Sequence, residues 1–176
     1  MIGIDLVNLD DPLLKPRNHR TLDLITHPDD RFPKHKNEFW YLWTAKEAVF
    51  KAHRALTNFD PKAIVIQLSS QGNHLNFRSE QFSGKVFTQE PIIYAIAAKN
   101  PEELVYQIYR QESNDESAEV RKRLVEFCKS EYDLDVSIIS DSDGLPMLDY
   151  KNTPVSFTHH AGVLGFCVPA AFKRLH

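Results

Sequence analysis

The sequence predicts an α+β fold of two pseudo-symmetric halves, each a helix packed on an antiparallel sheet. Three observations lead there. Apolar residues recur at helical spacing in two long stretches, about residues 37–56 and 116–132. Short β-branched runs stand before and after each stretch. Asn100-Pro101 then interrupts the chain where the series of strand, helix and strands begins again.

Taken in order, Ile2-Gly3-Ile4-Asp5-Leu6-Val7 is the β-branched run of a strand, and Asp10-Asp11-Pro12 turns the chain after it. Residues 15–36 hold Pro16, Pro28 and Pro33 among many charges and histidines, with one apolar patch at Leu22, Leu24 and Ile25. This is loop with a single helical turn. From 37 to 56, Leu42, Ala45, Val49 and Ala52 recur at three-four-three spacing with no Gly or Pro between them, which predicts a helix. Strands follow at 64–68, 84–87 and 92–97, with a turn at Gln71-Gly72-Asn73, giving an antiparallel meander. The second series opens with a strand at 104–109. Asn114 and Asp115 then offer caps to a helix over 116–132, where Val120, Leu124, Phe127 and Cys128 share helical spacing. Strands at 136–139, turning at Asp143-Gly144, and at 162–168 close the chain. The predicted halves are residues 1–100 and 101–176, joined in one integrated domain.

Composition narrows the function. Among 176 residues, 42% are hydrophobic and 26% charged, the balance of a folded globular chain rather than a disordered one. A formal charge of −3 speaks against a general nucleic-acid binder, which needs an excess of Lys and Arg. The one basic run, Arg121-Lys122-Arg123, reads first as a solvated helix face. No segment has the apolar length to span a bilayer and the N-terminus lacks a signal-peptide layout, so a cytoplasmic location without a membrane partner is expected. Cys128 and Cys167 lie far apart among apolar neighbours and belong to no CxxC pair. They are expected to be buried free thiols.

Two segments carry chemistry only when read together. On the long helix, Trp43-Thr44-Ala45-Lys46-Glu47-Ala48-Val49-Phe50-Lys51-Ala52 sets Glu47 and Lys51 one turn apart, and alone this is an ordinary surface ion pair. Asp5, inside an apolar strand, alone is an ordinary strand end. An acid flanked by Gly-Ile and Leu-Val, followed some forty residues later by Trp-x-x-Lys-Glu-Ala-x-x-Lys-Ala, is a much narrower pattern. It resembles the paired signatures of the 4'-phosphopantetheinyl transferase superfamily, Gly-Ile-Asp on a strand and Trp-x-x-Lys-Glu-Ala-x-x-Lys on the next helix. A third family signature, Gly-Lys-Pro followed by Ser-His, is similar to Gly144-Leu145-Pro146 and Ser156-Phe157-Thr158-His159.

The resemblance implies an enzyme that moves the phosphopantetheine arm of coenzyme A to a serine of an apo acyl or peptidyl carrier protein. Cleaving a diphosphate calls for a hard cation held by carboxylates. By resemblance, Asp5 and Glu47 hold Mg²⁺, and Lys51 stabilises the departing adenosine 3',5'-bisphosphate. Glu47 or a water on the metal takes the serine proton. Lys46, Thr158, His159 and the Gly144 to Pro146 turn then bind coenzyme A. The pathway, whether fatty acid, polyketide or peptide assembly, stays open.

The chain departs from the family at three positions. Val7 stands where the long type of the family has a third acid, Leu145 replaces the lysine of Gly-Lys-Pro, and Thr158 replaces the serine before His159. Leu145 removes a cation, so coenzyme A binding leans on backbone groups or on Arg121-Lys122-Arg123. The motif order, Gly-Ile-Asp first and Thr-His last, implies the long type's two halves in swapped order, as a monomer with one site at their junction. Two rivals remain at this stage: a catalytically inactive, coenzyme A-binding regulatory module of the same fold, and a purely structural α+β domain.

Overall fold

The first strand, β1 (Ile2–Asn8), is buried along its whole length because it is covered on both faces. In this computed structural model, which describes residues 1–53 and 58–170, β1 is the edge of a five-stranded antiparallel sheet. Its neighbours are β5 (Ile92–Ala98), β4 (Ser83–Gln89), β3 (His74–Arg78) and β2 (Gln67–Gln71), in that order. Alternation along a strand sends Ile93, Ala95 and Ala97 to one side and Ile92, Tyr94, Ile96 and Ala98 to the other. The first set joins the core beneath a long helix, and the second joins apolar residues of another sheet. This double burial explains the uninterrupted apolar run.

The long helix, α2 (Glu38–His53), follows a short helix, α1 (His19–Asp23), that is capped by the Asn18 side chain on the Thr21 amide. The expected end of α2 at Leu56 lies outside the described residues. Leu42, Ala45, Ala48, Val49 and Ala52 are 0 to 3% exposed against the sheet. The approach of helix to strand is set by Gly3, where a Cβ would lie 1.9 Å from the Ala48 carbonyl oxygen. Only a strand glycine facing helix alanines allows that contact.

The chain then runs through β6 (Leu104–Arg110), helix α3 (Glu116–Tyr132), β7 (Ile138–Ser140), β8 (Pro146–Leu148), β9 (Thr153–Pro154), β10 (Ser156–His160) and β11 (Val163–Pro169). These strands form two three-stranded antiparallel sheets, ordered β10-β11-β6 and β7-β8-β9. Helix α3 begins where Asp115 accepts the Ala118 amide, and buries Val120, Leu124 and Cys128. Both cysteines are buried free thiols. The fold is thus α+β with antiparallel sheets, and no described helix is long and apolar enough to cross a membrane.

Several boundaries differ from expectation for physical reasons. Ile64 and Ile66 are buried, yet they precede the strand rather than lie in it: the Ile66 amide donates to Asp30 Oδ1 instead of to a ladder partner. Strand β3 alternates polar and apolar residues, His74-Leu75-Asn76-Phe77-Arg78, yet is not among the expected strands, whereas β10 is largely polar and its period-two signal is weak. The strand expected at 136–139 forms at Ile138–Ser140.

Candidate active site

The first group of side chains gathers where α2 crosses β1. Because Ala48 and Ala52 meet Gly3, the helix positions just before them, Glu47 and Lys51, come to the flank of β1. Lys51 Nζ donates to Asp5 Oδ1 at 2.7 Å and to the Ile4 carbonyl at 3.1 Å. Asp5 is buried, its side chain 11% exposed, and burial is the main cause that raises its pKa, opposed by Lys51, Thr158 and the Leu6 amide. Glu47 is pushed up to about 7, first by burial and then by repulsion from Asp5, with Lys51 pulling the other way. Two carboxylates that repel each other across a partly dry pocket are chemically suited to share a divalent cation.

The second group arrives on β10, which runs beside β1 with a constant offset. Ile4, Leu6 and Asn8 point their amides away from β5, and these donate to Ser156 Oγ, Thr158 Oγ1 and His160 Nδ1, each at 3.2 Å. Side chains thus replace carbonyls along this seam. The Thr158 hydroxyl donates onward to Asp5 Oδ1 at 3.3 Å, and Thr158 is 4% exposed.

Beside this seam opens a cavity of about 360 Å³. Phe50 and Lys51 of α2 form one wall, Ser117 and Arg121 of α3 another, and Leu145, Pro146, Val155, Ser156, Phe157 and His159 the rest. Phe50 is held by an aromatic chain, 5.2 Å from Phe59, which meets Trp43 edge-on at 5.3 Å. The motif tryptophan therefore supports the cavity wall from behind. His159 Nδ1 lies 3.1 Å from Glu116 Oε2, and Glu116 also accepts the Gly162 amide at 2.6 Å. Gly144, at φ +80°, makes the turn that presents Leu145 and Pro146, with the Asp141 side chain accepting the Leu145 amide.

Motif residues separated by more than a hundred positions therefore meet, and comparison with known families bears on the first of the two groups. A family model described as 4'-phosphopantetheinyl transferase superfamily matches residues 1–109, more than half of the chain. The chain belongs to the 4'-phosphopantetheinyl transferase superfamily. Comparison with curated proteins and with solved structures gives no match. The matched segment of this superfamily member contains Asp5, Glu47 and Lys51, whereas Arg121, Pro146, Thr158 and His159 lie beyond it.

Lys46 and Thr158, two of the expected coenzyme A ligands, do not line this cavity. Lys46 is fully buried and faces away from the cavity: its ammonium pairs with buried Asp30 at 2.7 Å and donates to the carbonyls of Pro61 and Ile64. All three partners belong to the chain itself, so in this arrangement Lys46 acts as a clasp between α2 and the segment before β2. Thr158 does not line the cavity and instead holds Asp5. Sequence reasoning missed Asp30, which has no motif around it. It also missed Phe50, Ser117 and Val155, whose only signal is helical or strand phase relative to the motif residues.

Asp5 and Glu47 stand as a pair, since among the described residues no cluster of three or more His, Cys, Asp or Glu is placed to hold a metal. A pair still fits Mg²⁺, which keeps several waters and commonly takes one or two carboxylates together with substrate phosphates.

Proposed function

We propose that this chain transfers 4'-phosphopantetheine from coenzyme A to a serine of an apo carrier protein, releasing adenosine 3',5'-bisphosphate. One observation carries the reading: Lys51, bound to Asp5, lines the same cavity as His159 and Pro146. Binding groups and charged groups thus adjoin. The two parts have the same strand order, β1-β5-β4 and β6-β11-β10, which supports the reading of two pseudo-symmetric halves; their swapped order, a monomeric state and a cytoplasmic location belong to the same proposal.

In this reading Asp5 and Glu47 hold Mg²⁺, which when bound neutralises the diphosphate oxygens. Lys51 lies between Asp5 and the cavity, aimed where charge develops on the departing bisphosphate. Glu47, or a water on the metal, would take the serine hydroxyl proton; burial and Asp5 raise the Glu47 pKa to about 7 in the metal-free chain, and a bound cation would lower it again. Pro146, Leu145 and Phe157 offer an apolar wall to the adenine, and His159 a donor to phosphate. Thr158 and Lys51 fix Asp5 in place.

The test is incubation with coenzyme A, Mg²⁺ and a panel of apo carrier proteins, read by intact mass. A gain of one phosphopantetheine on a carrier serine is expected. Asp5→Ala and Glu47→Ala should each abolish it with the fold intact, and Lys51→Ala should slow it by about two to three orders of magnitude. Binding of coenzyme A without turnover on any carrier would instead support the inactive module.

A further inference from the structure

The basic run on α3 divides by partner. Lys122 faces Glu126 at 3.7 Å, and Arg123 is flanked by Glu119 at 3.3 Å, Glu126 at 3.4 Å and the Gln111 amide oxygen. Both are neutralised along their own helix. Arg121 points the other way, into the cavity. Its guanidinium lies over the Phe157 ring, 5.2 Å from the centroid, and one nitrogen, Nη1, is fixed by the carbonyl and hydroxyl oxygens of Ser117. Among the described residues no carboxylate comes within ion-pairing distance of it. The cavity's other basic side chains each have an acid: Lys51 has Asp5, and His159 has Glu116.

A half-buried guanidinium that is oriented, stacked and without a counter-charge, on the wall of a cavity, is suited to an anion that arrives with the ligand. Leu145, which also lines the cavity, stands where the family signature carries lysine, so the wall has lost one cation and holds another from a different element. Coenzyme A carries two anionic centres, the diphosphate and a separate phosphate on its ribose. Lys51, together with the cation that Asp5 and Glu47 would hold, accounts for the first. We propose that Arg121 binds the ribose phosphate and makes the chain select coenzyme A over its 3'-dephospho form. This rests on the transferase reading above.

The experiment measures affinity for coenzyme A and for 3'-dephospho-coenzyme A by titration calorimetry, with transfer kinetics alongside. The wild-type chain should prefer coenzyme A by about 10- to 100-fold, the scale of one charge-assisted contact. Arg121→Met should lose most of that preference by weakening coenzyme A alone, raising its KM while kcat stays near wild type. Arg121→Lys should retain part of the preference, and Lys122→Met all of it. Equal weakening of both ligands by Arg121→Met, or an unchanged ratio, overturns the assignment even where the wild-type chain transfers phosphopantetheine normally. A wild-type chain that binds neither ligand overturns the transferase reading itself.

Discussion

In the proposed mechanism, Glu47 ties the reaction to stability through one proton. Its pKa of about 7 in the folded chain, against an ordinary 4.5, means that the folded state binds that proton more tightly than the unfolded state does. A raised carboxylate pKa contributes stability that is full below about 4.5 and is lost as pH rises through about 7. Burial raises the pKa of Asp5 as well, which adds in the same sense above its own ordinary value. Stability should therefore fall between about pH 5 and pH 8, and Glu47→Gln should flatten that fall, gaining most over wild type at pH 8. Urea melts at the two pH values measure it. A wild-type curve that rises with pH would contradict the direction. Mg²⁺ should also raise the melting temperature more at pH 8 than at pH 6, because the cation and the proton compete for one carboxylate.

At the scale of elements, the register of α2 on β1 decides which motif residues reach the flank of β1 and which are sealed in the core. Glu47 and Lys51 reach the flank of β1 because Ala48 and Ala52 rest on Gly3, and Lys46, on the opposite side, is sealed against Asp30. Gly3→Ala would press a methyl into the Ala48 carbonyl, and should cost about 2–4 kcal/mol in chemical denaturation. Lys46→Ala should destabilise by about 3–5 kcal/mol, since it leaves Asp30 buried and uncompensated. Its folded fraction should keep the wild-type KM for coenzyme A; a large KM increase at unchanged stability would return Lys46 to the ligands. The sequence revealed α2 and α3 clearly because each buries a stripe at helical spacing. It revealed the Asp5, Glu47 and Lys51 group through residue types at a narrow spacing. The burial of Lys46 was not legible, because a motif records which residues occur, not which side of a helix is dry. The seam of β10 on β1 was invisible, because Ser156, Thr158 and His160 use side chains where a strand pattern anticipates backbone pairing.

Across the whole molecule, the seam bears on how many chains make a site. The amides of Ile4, Leu6 and Asn8 meet β10 of their own chain, and Lys51 and His159 line one cavity within it. If a neighbouring subunit supplied the second group instead, the site would exist only across an interface, and a closed oligomer such as a cyclic trimer would then be obligatory. Here β6 to β11 fill that position, with the apolar faces of β1 and β5 covered by Tyr106, Ile108, Val163 and Cys167. The expected particle is a monomer with one internal site. Mixing chains tests this directly. Asp5→Ala removes a carboxylate from the first part, and His159→Ala weakens the second, so that each variant is impaired when assayed at limiting coenzyme A. In a trimer with shared sites, co-refolding equal amounts would regenerate about a quarter of the sites with both residues intact. In a monomer no pairing restores a site, and activity should stay at the average of the two variants. Recovered activity in that mixture, together with a trimer by sedimentation, would overturn the internal site while leaving membership of the superfamily untouched.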